Sequence, residues 1–263
     1  MDLGLKGKVA VVAAASQGLG RAIAEELAQE GAHVALCSRD RGRIEAAAKE
    51  IAKRTGAETL GVAADVTRGE DVERFVAAAA EKWGAVHIAV ANAGGPPAKL
   101  FAEATPEDWQ RAVELNLMSA VHLARAALPR MQKQKWGRLL FLTSASVKQP
   151  IEGLLLSNSV RSAVAGLAKT LSNEYGRDNI LVNVLCPGYL RTERLEELAT
   201  AVSAKRGIGR DEIYREWAAA NPVGRIGEPR ELAALAAFLA SERASYITGT
   251  AMAVDGGRTK SLL

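Results

Sequence analysis

Short runs of consecutive apolar residues alternate along the chain with longer stretches in which apolar residues recur every three or four positions. KVAVVAA (8–14), HVALCS (33–38), TLGVAA (59–64), VHIAVAN (86–92), RLLFLTS (138–144), ILVNVLC (180–186) and AMAV (251–254) have strand length. Their near-continuous apolar character predicts strands covered on both faces. The periodic stretches between them predict helices from about Leu19, over about 41–54 and 69–83, and later over about 105–131 and 155–176. In the last of these, Val160, Ala163, Val164, Leu167 and Leu171 form the predicted buried stripe. Buried strands separated by helices predict an α/β fold: a doubly wound, Rossmann-like parallel sheet of about seven strands with helices on both faces.

The least regular part runs from Pro187 to Glu228, with two short amphipathic helices and the turn-rich NPVGRIGEP. A segment inserted after a late strand lies over the carboxyl ends of the strands, where ligands bind, so a substrate lid is expected at about 188–228. At 263 residues and 48% hydrophobic, the chain suits a single domain over 1–263. No apolar run approaches the roughly 18 residues that span a bilayer, and MDLGLKGKVAVV lacks a long apolar leader core. The expectation is a cytoplasmic protein without a membrane partner.

Charge adds little to this picture. Lys and Arg number 34 against 30 Asp and Glu, a net +4 that points to no nucleic-acid partner. Cys37 and Cys186 form no metal cluster and are expected to be free thiols. His33, His87 and His122 have no partner at metal spacing, and Trp109, Trp136 and Trp217 suit packing.

The informative chemistry begins directly after the first strand, in AAASQGLGRA. Gly18 and Gly20 open a helix, where glycine lets the backbone approach a pyrophosphate and free N–H groups favour an anion. A bare Gly-x-Gly is also an ordinary tight turn; the strand before it and the helix after it point to a dinucleotide. The second strand ends in Cys37-Ser38-Arg39, with no acidic residue to bind a ribose 2′-hydroxyl. Ser38 is small and neutral, and Arg39 offers a fork suited to phosphate, which favours NADP over NAD; the competing reading is a solvated basic loop.

Together these residues resemble the short-chain dehydrogenase/reductase family over essentially the whole chain. The loop Ala13-Ala14-Ala15-Ser16-Gln17-Gly18-Leu19-Gly20 is similar to the family's Thr-Gly-x-x-x-Gly-x-Gly. The resemblance implies that Ala14, Ser16, Gln17, Gly18, Leu19 and Gly20 hold the cofactor, that Asp65 and Val66 meet adenine, and that Asn92-Ala93-Gly94 forms the motif after the fourth strand. It also implies that Pro187, Gly188 and Thr192 hold the nicotinamide end, Ser144 binds the substrate carbonyl and Asn116 belongs to the active-site relay. The tail ASYITGTAMAVDGG is similar to that of the β-ketoacyl carrier-protein reductase branch. The same resemblance implies a homotetramer with interfaces on the helices at about 105–131 and 155–176 and on the last strand.

Two positions depart from the family. Ala13 and Ala14 stand where threonine and the first glycine are usual, which puts a methyl on a tight turn. Thirteen residues after Ser144, Ser157 and Arg161 stand in place of Tyr-x-x-x-Lys. They are four apart, hence on one helical face. Serine is too weakly acidic and too short to replace a phenol, and arginine does not release a proton. Arg161 still offers donors to the nicotinamide ribose and charge to a developing alkoxide. The proton source is open. Lys148 is either that source or a solvated loop lysine, Tyr189 either that source or a pocket wall, and Asn116 either a relay member or a structural amide. The expectation is an NADP-dependent, 3-oxoacyl reductase-like enzyme acting on a small carbonyl or alcohol, with a rearranged site. The alternative is a dinucleotide-binding protein without turnover, serving as a sensor or assembly subunit.

Overall fold

The computed structural model describes residues 2–262. Its strands are β1 (Val9–Val12), β2 (His33–Ser38), β3 (Thr59–Ala63), β4 (Ile88–Ala91), β5 (Gly137–Leu142), β6 (Ile180–Pro187) and β7 (Ala251–Val254). All pair in parallel in one sheet of order β3-β2-β1-β4-β5-β6-β7, as the apolar pattern predicts. Strand order reverses between β1 and β4, so the connections leaving their carboxyl ends diverge and open a crevice there.

The helices are α1 (Gly18–Gln29), α2 (Arg41–Thr55), α3 (Gly69–Trp83), α4 (Pro106–Ala112), α5 (Ser119–Gln134), α6 (Leu155–Tyr175), α7 (Glu193–Arg206), α8 (Arg210–Ala219) and α9 (Pro229–Ala240). They bury their apolar faces on the two sides of the sheet. Phe75, Leu123, Val164 and Leu171 fill one side, and Ile23, Leu27, Ile51 and Leu232 the other. The carboxyl ends of α2 and α3 stop at Gly56 and Gly84, each in the left-handed conformation that releases the chain toward the next strand. Between β6 and α9, a separate small cluster of Leu195, Ala199, Ile213, Trp217 and Ile226 holds α7 to α8.

Three differences from the sequence pattern concern the site. The apolar runs that meet at the crevice extend beyond the strands: Ala13-Ala14, Asn92 and Thr143-Ser144 have already left β1, β4 and β5. On α6 the buried stripe is Leu156, Val160, Val164, Ala168 and Leu171; Ala163 is exposed and Leu167 only half-buried, because the face is set by contact with β6 and the α4–α5 segment. Finally, the stretch predicted as one helix over 105–131 is broken by a π-helical turn, Val113–Met118, and Asn116 lies within it.

The histidines and cysteines are placed structurally. His87 Nδ1 accepts the Val9 N–H at 3.0 Å, and burial pushes its pKa down to about 4, so the ring is neutral. His33 stacks on Trp83, while Cys37 and Cys186 are buried free thiols. No cluster of potential metal ligands occurs among the described residues.

Candidate active site

A cleft of about 850 Å³ runs along the carboxyl ends of β2, β1, β4, β5 and β6. Its first half is the one the glycine loop defines. Ala14, Ser16, Gln17, Gly18 and Leu19 line it, as do Ser38, Arg39, Asp65, Val66, Asn92, Ala93 and Gly94. Gln17 precedes α1 without a side-chain cap, which leaves the first helical N–H groups free for an anion. Gly20 itself lies behind the cleft wall. A Cβ there would meet Asn92 Nδ2 at 2.6 Å and the Ala14 carbonyl at 2.7 Å, so glycine is what lets helix and loop close together. Asn92 Nδ2 in turn donates to the carbonyls of Ala13 and Ala14 at 3.2 and 3.0 Å and fixes the turn.

Ala14 answers the first departure. It adopts φ 48°, so the turn keeps the left-handed conformation and the alanine bears the strain. Replacing Ala14 with glycine is expected to stabilise the fold by about 1 kcal/mol, a rise of roughly 2–4 °C in Tm by calorimetry. An unchanged or lowered Tm would mean that the turn is not strained.

At the end of β2, Arg43 lies 3.7 Å from Asp40, Arg41 lies 3.9 Å from Glu45, and Asp40 caps α2 by accepting the Arg43 N–H. Arg39 has no ion pair or hydrogen bond among the described residues and is exposed on the cleft. Asp65 accepts from the Thr67 backbone and hydroxyl at 3.0 and 2.8 Å, which closes a local turn on the cleft edge.

The second half of the cleft brings Ser144, Ser157, Arg161, Pro187, Gly188, Tyr189 and Thr192 to one wall. Ser144 Oγ accepts the Ser146 N–H at 3.1 Å, so its own proton remains free to donate. Ser157 lies 3.3 Å, Oγ to Oγ, from Ser146. Arg161 is only 8% exposed; its Nη1 donates to the Leu142 and Thr143 carbonyls at 3.2 and 3.1 Å, and its Nη2 to Gly94 O at 3.4 Å. Burial, with the nearby Arg194 charge, pushes its pKa down to about 10, which leaves it cationic at neutral pH. Three of five guanidinium donors are therefore occupied and the others are available. Asn116 Nδ2 also donates to Gly94 O, at 2.9 Å, and its buried Oδ1 has no partner. The π-helical turn thus delivers an amide to the same carbonyl that Arg161 holds.

Lys148 follows the 3₁₀ turn Ala145–Val147, which carries it off the cleft wall; its charge acts on the Cys186 thiol. Tyr189 does line the cleft. Its ring stacks on Trp217 at 4.5 Å, and burial raises its pKa, only partly opposed by Arg258. Gly188 is required beside it, since a Cβ would meet that of Asp255 at 2.5 Å. Thr192 Oγ1 caps α7 through the Leu195 N–H, and Glu193 reaches over the glycine loop.

The sequence reading missed Arg194 and Arg258. Arg194 donates to Pro96 O at 2.8 Å and pairs with Glu197, tying α7 to the loop after β4. Arg258 lies over the Tyr189 ring at 3.9 Å. Neither belongs to a motif, and only the fold brings them to the cleft.

Comparison with known proteins agrees with this geometry. The family profile described as enoyl-(acyl carrier protein) reductase matches residues 13–259. The chain is 33% identical to the 3-oxoacyl-[acyl-carrier-protein] reductase FabG of Aquifex aeolicus, over 98% of this chain and 99% of that protein. It is 34% identical to human dehydrogenase/reductase SDR family member 4, over 98% and 90%. The structure of L-sorbose reductase from Gluconobacter frateurii, complexed with NADPH and L-sorbose, superposes with a TM-score of 0.94 at 37% identity, covering 100% of both chains. An actinorhodin polyketide ketoreductase with NADPH gives 0.92 at 30% identity, over 96% and 97%. With sequence matches that run nearly end to end and the same overall fold, the chain belongs to the short-chain dehydrogenase/reductase family.

Proposed function

We propose that the protein is an NADP-dependent oxidoreductase that interconverts a carbonyl and an alcohol, 3-oxoacyl reductase-like in class, through a rearranged active site. One observation carries this reading: a single cleft joins the unpaired Arg39 and the glycine loop to the free hydroxyl donor of Ser144. The residues fit the cofactor. Gly20 leaves the close approach that a side chain would fill, and Arg39 is the fork without a protein partner.

Held by the glycine loop and Arg39, NADPH would supply the hydride, and reduction would consume one proton and yield NADP⁺ and the alcohol. Ser144 Oγ donates to the carbonyl oxygen. Arg161 offers its two remaining donors to the ribose and stabilises negative charge on that oxygen, without giving up a proton. Of the two candidate acids, Tyr189 lines the cleft and Lys148 does not, so Tyr189 is the better-placed donor. Its raised pKa makes it a reluctant one. The test is absorbance of NADPH with a panel of ketones and β-ketoacyl thioesters. If turnover occurs, Tyr189→Phe is expected to lower kcat about 10²-fold; an unchanged kcat would assign the proton to solvent.

The second reading, a dinucleotide-binding sensor or assembly subunit, is favoured by Ser157, whose hydroxyl is engaged by Ser146 and which has no aryl acid to offer. NADPH binding with no oxidation across the panel is its signature.

Family resemblance further supports a homotetramer. The exposed face of α6 carries Ser162, Ala163 and Gly166, small enough for close helix contact, and β7 is an edge strand with Ala253 exposed. Sedimentation at micromolar concentration is expected to give a tetramer; a monomer would sink the assignment.

A further inference from the structure

Six arginines line the cleft: Arg39, Arg43, Arg111, Arg161, Arg194 and Arg258. Four are occupied by the protein itself. Arg43 faces Asp40, Arg111 pairs with Asp108 at 2.8 Å, Arg161 holds three carbonyls, and Arg194 is shared by Pro96 O and Glu197. Arg39 sits at the ribose end of the cofactor half. On the substrate side Arg258 is left with neither a carboxylate nor a carbonyl for its guanidinium among the described residues.

Its position is built. The segment after β7 is anchored by Asp255, which accepts the Gly257 and Thr259 N–H groups at 3.0 and 2.8 Å. Gln149 Oε1 accepts the Lys260 N–H at 2.9 Å, so the segment bridges the loop that bears Ser144 and the turn that bears Tyr189. Stacking at 3.9 Å on Tyr189, with a hydrogen-bonding contact to its hydroxyl, restrains the side chain, and the guanidinium N–H groups not turned to Tyr189 can meet an anion. The free carboxylate on this cleft, Glu193, reaches toward Gly18, at the other half.

We propose that Arg258 is a specificity residue that binds the carboxylate of the substrate, so that the enzyme acts on small oxo acids or the corresponding hydroxy acids. This rests on the oxidoreductase reading for turnover, but the binding claim stands by itself. Ile151, Leu154 and Ser144 line the same cleft, the first two with apolar surface suited to a short chain and the third with a donor for an oxo group, while Arg258 is the cation for the acid. A charge-assisted fork on a partly desolvated carboxylate is strong enough to discriminate an acid from its ester.

The NADP⁺-loaded protein is titrated calorimetrically with pyruvate, acetoacetate and levulinate, with their methyl esters, and with inorganic phosphate. At least one acid is expected to bind about tenfold or more tighter than its ester, and Arg258→Gln to erase most of that preference, with Arg258→Lys retaining part of it. NADPH binding by each variant, followed by fluorescence, reports that the fold and the cofactor half are intact. Equal binding of acid and ester, a preference that survives Arg258→Gln, or binding of phosphate alone would overturn the proposal, as would no acid binding up to about 10 mM. Acid-selective binding that depends on Arg258 without NADPH oxidation would leave this inference standing and remove the oxidoreductase reading. Turnover of acids and esters alike would do the reverse.

Discussion

Ser157→Tyr combined with Arg161→Lys is expected to raise NADPH-dependent ketone reduction at least tenfold. The full contribution of a general acid corresponds to about 10²–10⁴-fold. Both positions lie on the cleft-facing side of α6, one helical turn apart, with Ser144 on the same wall. Ser157 borders a cleft of about 850 Å³, into which a phenol at this position extends once the side chain leaves its buried contact with Ser146. Lysine at the second position supplies a cation that lowers the phenol pKa by proximity. Steady-state kcat/KM on the same ketone panel measures the gain. A double variant that still binds NADPH and gains nothing would mean that the pocket no longer presents a carbonyl to the nicotinamide, and the non-catalytic reading would prevail.

Arg39→Asp is expected to weaken NADPH binding by about 10²–10³-fold while changing NADH binding little, because a charge-assisted contact to the 2′-phosphate is replaced by repulsion. Arg41 and Arg43 stand beside it in long, exposed pairs with Glu45 and Asp40 at 3.9 and 3.7 Å, weak enough that either cation can turn to the phosphate and limit the loss. Fluorescence titration with both cofactors decides the point: equal loss for NADPH and NADH would make Arg39 an ordinary surface residue.

The sheet and the cofactor half of the site were legible because their signals are local. A buried parallel strand is a run of apolar residues, and a phosphate turn is a glycine spacing, so β1, the loop through Gly20 and α1 follow from adjacent residues alone. Ser157 and Arg161 are found by offset from Ser144, and both line the cleft. What escaped is set by tertiary geometry. VELNLM has ordinary helical spacing, and nothing in it marks the wider turn that aims Asn116 at Gly94. Lys148 looked as close to Ser144 as any cation in the sequence, but a 3₁₀ turn carries it off the wall. Arg258 lies 69 positions beyond Tyr189 in the sequence and meets it only because the last segment folds back across the sheet.

Arg161 ties the end of β5 to the loop after β4 through three carbonyls, so a change at this position acts on the frame of the cleft as well as on its chemistry. Lysine has fewer donors and no planar fork, so Arg161→Lys by itself strips hydrogen bonds from buried carbonyls and gives no acid in return. Ser157→Tyr by itself keeps the brace and already supplies a phenol. The two positions are therefore unequal to exchange: the aromatic residue can be introduced with the brace in place, whereas the lysine always removes part of it.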